Sequence, residues 1–235
     1  MNNELEFFNN YYSNYDDSNV KINGKYKHTF RVLSYAEEIA RSLDLDEKEI
    51  TRAKVCALFH DIGRFEQLKQ FNTYNDKLSF DHGDKGYEIL KENNYDDEIV
   101  LTAVKYHNKK DVPEFDELTN IHSKIVRDAD KIDILVVHGT KLEKKDYEIT
   151  DEVVSYFINH SLLDINYDNS EVLYILRQLA FIFDINYKKS IEIILNKDLI
   201  NHKINLLKRK CDNEKIEIIE KEIKEYIKER FDIKC

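Results

Sequence analysis

The stretch DEKEITRAKVCALFHDI, residues 46–62, decides the fold. Asp46 is a good helix N-cap, and Glu49 three positions later completes a capping-box pattern. The spacing predicts a helix running to about Ile62. His60 and Asp61 follow Ala53 and Ala57 by three- and four-residue steps, so the doublet ends the buried face of that helix. Gly63 then interrupts the pattern. Upstream, residues 25–43 read as one helix preceded by Gly24, with Phe30, Leu33, Ala40 and Leu43 on one stripe. Downstream, residues 65–81 mix aromatic, Asn, Asp and Lys residues without a period and read as a loop with at most a short helical turn.

Further helices are expected over Gly83–Lys91, Asp97–His107 and Thr119–Leu142. Pro113 falls in the linker between the last two, where its missing N–H costs nothing. The helical pattern resumes over Val153–Leu163, Ser170–Phe183, Lys188–Asn196 and Asn201–Lys210. It ends in an amphipathic segment with Ile216, Ile219, Ile223, Tyr226 and Ile227 on one side. Packing within the domain accounts for that stripe; a homodimer contact is the sharper alternative. The expected architecture is a single-domain, all-α helical bundle over residues 1–235. Residues 25–142 would carry the chemistry and residues 143–235 would form a helical buttress.

Composition agrees with helices. The 235 residues include only five Gly and one Pro, too few for the frequent turns of a β-sandwich or barrel. Apolar residues make up 42% of the chain, which excludes a wholly disordered protein. The 36 basic and 46 acidic residues give a net charge of −10, and an acidic surface repels extended nucleic acid. Small phosphorylated ligands need only a few cations in a pocket. Met1 to Asn14 shows no basic leader followed by an apolar run, and no apolar stretch reaches the roughly 20 residues of a membrane span. Cys56, Cys211 and Cys235 lack metal-type spacing, and a cytoplasmic protein without disulfides is expected.

Five residues carry the chemical signal. His28 shares a helix face with Val32, Tyr35 and Ile39. His60 and Asp61 end a buried stripe, and His107 follows Val100 and Ala103 on the same logic. Asp130 lies mid-helix beside Val126, Ile134 and Val137. A buried carboxylate needs a cation, and neutral imidazoles nearby point to a metal. Imidazole with carboxylate selects Mn, Fe, Co, Ni or Zn in preference to Mg, which favours oxygen ligands. His122, His138, His160 and His202 show no comparable arrangement and are assigned structural roles.

The order His28, His60-Asp61 in ALFHDIGRFEQ, then Asp130 in RDADKIDIL resembles the HD-domain metal-dependent phosphohydrolases. The resemblance covers residues from about 25 to 142. It implies that His28, His60, Asp61 and Asp130 hold one divalent metal. His82 in FDHGDKGYEIL and His107 in AVKYHNKK match the extra histidines of the family's dinuclear branch, in which Asp61 would bridge two metals. Asn108 stands where many dinuclear members have a second adjacent histidine. Arg64 occupies the place of a substrate-binding cation after the doublet, with an ion pair to Glu66 or Glu37 as its structural alternative. Lys131 follows Asp130 as in the family's ADK pattern and would orient that carboxylate or touch phosphate. The catalytic set implied by the resemblance is Asp61, Arg64 and Lys131. The loop Phe71–Ser79, with Thr73, Asn75 and Asp76, is placed to line a pocket.

The expected function is hydrolysis of a small phosphate ester, a nucleotide or related metabolite, by metal-activated water. One or two divalent ions would serve as cofactor, with no membrane or extended nucleic-acid partner. Two alternatives are a dinuclear iron oxygenase on the same scaffold and a non-catalytic metal- or nucleotide-binding module. No P-loop, Gly-rich dinucleotide turn or Gly-flanked serine offers a rival chemistry.

Overall fold

A computed structural model describes residues 1–136, 148–164, 170–211 and 213–234. Among these, all regular structure is helical, so the all-α expectation holds. The chain divides into two compact units, Met1–Asp133 and Ile134–Cys235. The first contains α1 (Asn2–Tyr12), α2 (Val20–Ser42), α3 (Glu47–Phe59), α4 (Ile62–Phe71), a 3-10 turn (Asp76–Leu78), α5 (His82–Glu92), α6 (Glu98–Tyr106) and most of α7 (Glu117–Val136). The second contains α8 (Asp151–Ile158), α9 (Glu171–Ala180), a 3-10 turn (Phe181–Asp184), α10 (Lys188–Asn196), α11 (Leu199–Lys208) and α12 (Asn213–Phe231).

Short polar side chains start these helices by accepting bonds from backbone N–H groups that no helical carbonyl can reach. Asn19 caps α2 through the amides of Lys21 and Ile22, and Asp46 caps α3 through that of Glu49. Asp81 and Asp97 do the same for α5 and α6. Each such cap contributes about 1 kcal/mol. Asn72 ends α4 in the left-handed region at φ 51°, a conformation Asn tolerates better than most residues.

In the first unit α2 and α3 pack against each other. Val32, Ala36, Ile39 and Ala40 of α2 are fully buried, as are Ala53, Cys56 and Ala57 of α3. The small residues let the two backbones approach closely. Helix α1, which no motif in the sequence singles out, lays aromatic rings over α2, α3 and α4. Phe8 contacts Tyr26, Phe30 and Phe65 with centroids 5.9–6.1 Å apart, and Phe7 meets Phe59 edge-on at 5.7 Å. The recurrence of Phe7, Phe8, Tyr11, Tyr12 and Tyr15 at helical steps was the available signal.

Two expectations about boundaries are corrected. Gly24 does not precede α2 but lies inside it, because the Asn19 cap starts the helix at Val20. Residues 65–81 are not mainly loop: α4 occupies Ile62–Phe71, burying Ile62, Phe65 and Leu68 at three-residue steps. Gly63 does not break the helix; it permits a crossing. A Cβ there would lie 2.3 Å from the His82 carbonyl oxygen and 2.8 Å from the Gly86 nitrogen. Helices α5 and α6 fall within one residue of their expected spans. The end of the expected Thr119–Leu142 helix, together with Val137 and His138, lies outside the described residues, as does Cys235.

In the second unit Ile216, Ile219, Ile223 and Ile227 of α12 are fully buried, and Tyr226 donates a 3.0 Å bond to the Phe183 carbonyl. The apolar stripe of α12 is thus covered inside its own unit. No helix among the described residues is long and apolar enough to cross a membrane.

Candidate metal centre

The first unit brings together four of its histidines with Asp61 and Asp130: three of these six residues lie within helices and three at helix ends. His28 projects from the middle of α2. His60 is the C-cap of α3, and Asp61 stands at the junction with α4 at φ −104°, ψ 15°. His82 opens α5, His107 is the C-cap of α6, and Asp130 lies on α7. All four imidazoles are 5% exposed or less, and Asp61 is 3% exposed.

Two clusters result. In the first, His28 Nε2 lies 3.2 Å from His60 Nε2, 3.2 Å from Asp130 Oδ1 and 3.3 Å from Asp61 Oδ2. His60 Nε2 lies 3.5 Å from Asp61 Oδ2 and 3.7 Å from Asp130 Oδ1. In the second, His82 Nε2 and His107 Nε2 are 3.0 Å apart, at 3.4 and 3.7 Å from Asp61 Oδ1. Asp61 therefore offers one oxygen to each cluster.

The outward nitrogens define the tautomers. His28 Nδ1 donates to Asp133 Oδ2 at 2.6 Å, and His82 Nδ1 to Asp76 Oδ2 at 2.7 Å. His60 Nδ1 donates to the Ala57 carbonyl and His107 Nδ1 to the Val104 carbonyl, both at 2.7 Å. Carboxylates and carbonyls only accept, so each Nδ1 carries hydrogen and each neutral ring turns an Nε2 lone pair inward. Lone pairs facing one another and two carboxylates have no stable arrangement without positive charge among them. Two donors about 2.1 Å from a common cation, at angles near 90–110°, stand roughly 3.0–3.4 Å apart. The observed separations bracket that range, so the residues fit a divalent ion in each cluster.

Electrostatics express the same demand. Burial works against ionising Asp61, yet Lys25 and His60 hold its carboxyl well below the usual range. Asp130 is likewise depressed against its burial, by His28 and His60. Burial and Lys25 oppose a charge on His28, but Asp130, Asp133 and Asp61 outweigh them and push it up to about 10. Burial lowers His82 to about 4 and also lowers His107. Without a metal, the acids of the first cluster recruit protons and Lys25, whereas the second cluster stays neutral and ready to ligate.

The supporting residues carry little signal in the sequence. Asp133, one turn after Asp130, is fully buried and also accepts from Arg31 Nε at 2.6 Å and Nη2 at 2.8 Å. Asp76 on the 3-10 turn accepts from His82, Asn108, Arg64 and Gln67. Asn108 supports the site through Nδ2, which donates to Asp76 at 3.2 Å and Asp81 at 3.1 Å. Arg127 donates to the carbonyls of Tyr106, His107 and Lys109, which holds the end of α6 in place. Helical spacing from His28 and Asp130 would have found Lys25 and Asp133; nothing in the sequence pairs Asp76 with His82.

Arg64 sits 3.5 Å from Asp61 Oδ1 through Nε, while its Nη1 donates to Gln67, the Tyr74 carbonyl and Asp76 at 2.6–2.8 Å. Its ionic partners are thus Asp61 and Asp76, while Glu66 accepts from Tyr15 and Gln70 and Glu37 pairs with Arg41 and Lys54. Lys131 is 8% exposed, and as the neighbour of Asp130 its side chain leaves α7 roughly 100° away. His122 bonds Glu49 at 2.8 Å and His160 packs on Phe183 and Tyr226, consistent with structural roles.

Comparison with known proteins agrees with this geometry. The family model described as HD domain matches residues 26–135. A ribonuclease Y of Mycoplasmoides gallisepticum is 30% identical over 108 residues, which is 44% of this chain and 17% of that protein. The chain thus spans less than a fifth of that relative's length. No solved structure gives a significant match. The lone pairs that converge around Asp61, and the family match over the same helices, lead to one conclusion: residues 26–135 match the HD-domain family.

Proposed function

We propose that this protein hydrolyses a small phosphate ester, a nucleotide or related metabolite, with divalent metal held by the two clusters. The observation that carries the reading is the division of Asp61: Oδ2 faces His28 and His60, and Oδ1 faces His82 and His107. His28, His60, Asp61 and Asp130 would hold one ion, and Asp61, His82 and His107 a second. Bound metal would supply a hydroxide at neutral pH by lowering the pKa of water, and charge to polarise a phosphoryl oxygen. Each imidazole is pre-oriented by its Nδ1 bond, so little reorganisation accompanies loading. Asp61, held ionised, links the clusters and would orient the nucleophile. Arg64 beside Asp61 would offset charge that builds on the equatorial oxygens.

The ribonuclease name of the relative supports phosphodiesters as candidates beside monoesters. The net charge of −10 favours a small substrate over a long polyanion. The test is a panel of phosphomonoesters, dinucleotides and short RNA with Mn, Fe or Co added. Turnover that disappears in Asp61→Ala together with bound metal supports the proposal. It fails if loaded protein hydrolyses none of them while Asp61→Ala retains metal like wild type.

A further inference from the structure

The centre contains a cation, Lys25, whose contact with Asp61 only the folded arrangement reveals. Lys25 lies one turn before His28 on α2, and its Nζ is 2.5 Å from Asp61 Oδ2. That same oxygen faces the Nε2 atoms of His28 and His60. An ammonium and a divalent ion cannot share it without strong repulsion, because both are cations in a poorly solvated pocket. Lys25 has a flexible four-carbon stem and a side chain 19% exposed, so it can turn outward. Arg64, the other cation on Asp61, is tied down by three acceptors on Nη1. Lys25 is therefore the group able to exchange Asp61 for an arriving anion.

What lies beside Lys25 indicates the rest of the ligand. Its Nζ is 5.6 Å from the centroid of Tyr74. Tyr74 is 42% exposed, yet it is fixed at both ends. Its hydroxyl donates to the Lys21 carbonyl at 3.1 Å, and its own carbonyl accepts from Arg64 at 2.7 Å. Phe71 at the end of α4 and Leu78 on the following 3-10 turn are exposed as well. A held but exposed ring next to a phosphate-seeking cation suits an ester whose leaving group has a flat apolar face.

We propose that Lys25 binds a non-bridging phosphoryl oxygen of the substrate and that Tyr74 stacks on the base of a nucleoside phosphate. This assignment rests on the phosphohydrolase reading and names two residues and a substrate class for it. The Lys25 ammonium leaves Asp61 Oδ2 when metal and phosphate are bound, and the Tyr74 ring holds the leaving group in place.

The test is calorimetric titration of Mn-loaded protein with inorganic phosphate and with the 5′-methylene phosphonate of adenosine, which cannot be hydrolysed. Lys25→Met should weaken both by about tenfold or more, as expected for a lost charge-assisted bond. Its manganese affinity should not fall, because a competing cation has gone; a merely structural lysine would lower it. Lys25→Arg should retain phosphate binding, which guards against a folding defect. Tyr74→Ala should weaken the nucleoside phosphonate by about fivefold or more and leave phosphate unchanged, whereas Tyr74→Phe should bind both. If wild type binds both ligands and the variants match it, the Lys25–Tyr74 assignment is overturned while the phosphohydrolase reading stands. If wild type binds neither and hydrolyses no ester, both fall together.

Discussion

Asp133 Oδ2 accepts a 2.6 Å hydrogen bond from His28 Nδ1 across 105 positions of sequence, and Arg31 grips the same carboxylate with two donors. The fully buried acid sets the ring so that Nε2 faces His60, Asp61 and Asp130. Asp133→Ala should lower metal affinity at the first cluster by roughly 10- to 100-fold, the usual effect of removing such an orienting partner. Competition with a chromogenic chelator measures it. An unchanged affinity would show that packing alone positions His28.

Because Asp61 divides its oxygens, its removal should differ in kind from the removal of Asp130. Elemental analysis after loading with excess Mn should show Asp61→Ala depleted at both clusters. Asp130→Ala should lose only the ion beside His28, since Asp130 Oδ1 approaches His28 and His60 alone among the four imidazoles. Equal stoichiometry in the two variants would contradict the bridging geometry.

Two of the helical glycines, Gly24 and Gly63, make opposite predictions. A methyl group on Gly24 would meet nothing within 4 Å, so Gly24→Ala should stabilise by about 0.5–1 kcal/mol through helix propensity. Gly63→Ala would drive a methyl into the His82 backbone and should cost about 1–3 kcal/mol. Thermal unfolding should move Tm by a few degrees in opposite directions. Similar shifts for both would mean that α4 and α5 cross less tightly than described.

A pH effect remote from the metal centre follows from His122 and Glu49. Burial is the main reason that the His122 pKa is lowered from 6.5, with Glu49 partly opposing it. The folded state then binds fewer protons than the unfolded chain just below pH 6.5, so stability falls as pH drops through that point. Glu49 adds to the slope at lower pH: burial opposes its ionisation, but Arg52 and His122 depress its pKa below 4.5, so its contribution is lost on further acidification. Urea unfolding between pH 7.5 and 5 should show a decline to which the buried His82 and His107 also contribute, and His122→Gln should make it shallower. An equally steep decline in the variant would assign the effect elsewhere.

Much of the architecture is legible in the sequence because local chemistry and periodicity agree. Asp46 announces a helix start and bonds the Glu49 amide as its capping pattern requires, whereas the caps supplied by Asp81 and Asp97 emerge only in the structure. His28, the His60-Asp61 doublet and Asp130 stand out because polar residues on apolar helix faces need a reason. The region 65–81 reads as loop because Gly63 looks like a breaker when its crossing partner is unknown. The fully buried Gln67 looks like a loop residue until its donors are seen on Asp76, Ser79 and Phe80.

The order of residues alone determined the helical class, the starts of α3, α5 and α6 to within a residue and the identity of the ligand-type side chains, since these depend on groups within a few positions of one another. Only the folded arrangement decided that Asp61 faces two clusters, that Asp133 and Asp76 orient His28 and His82, and that Lys25 points at the shared carboxylate. Those relationships join residues from 6 to 105 positions apart. They arise from how α2, α4, α5 and α7 pack, and side-chain direction across such crossings is written in no single segment.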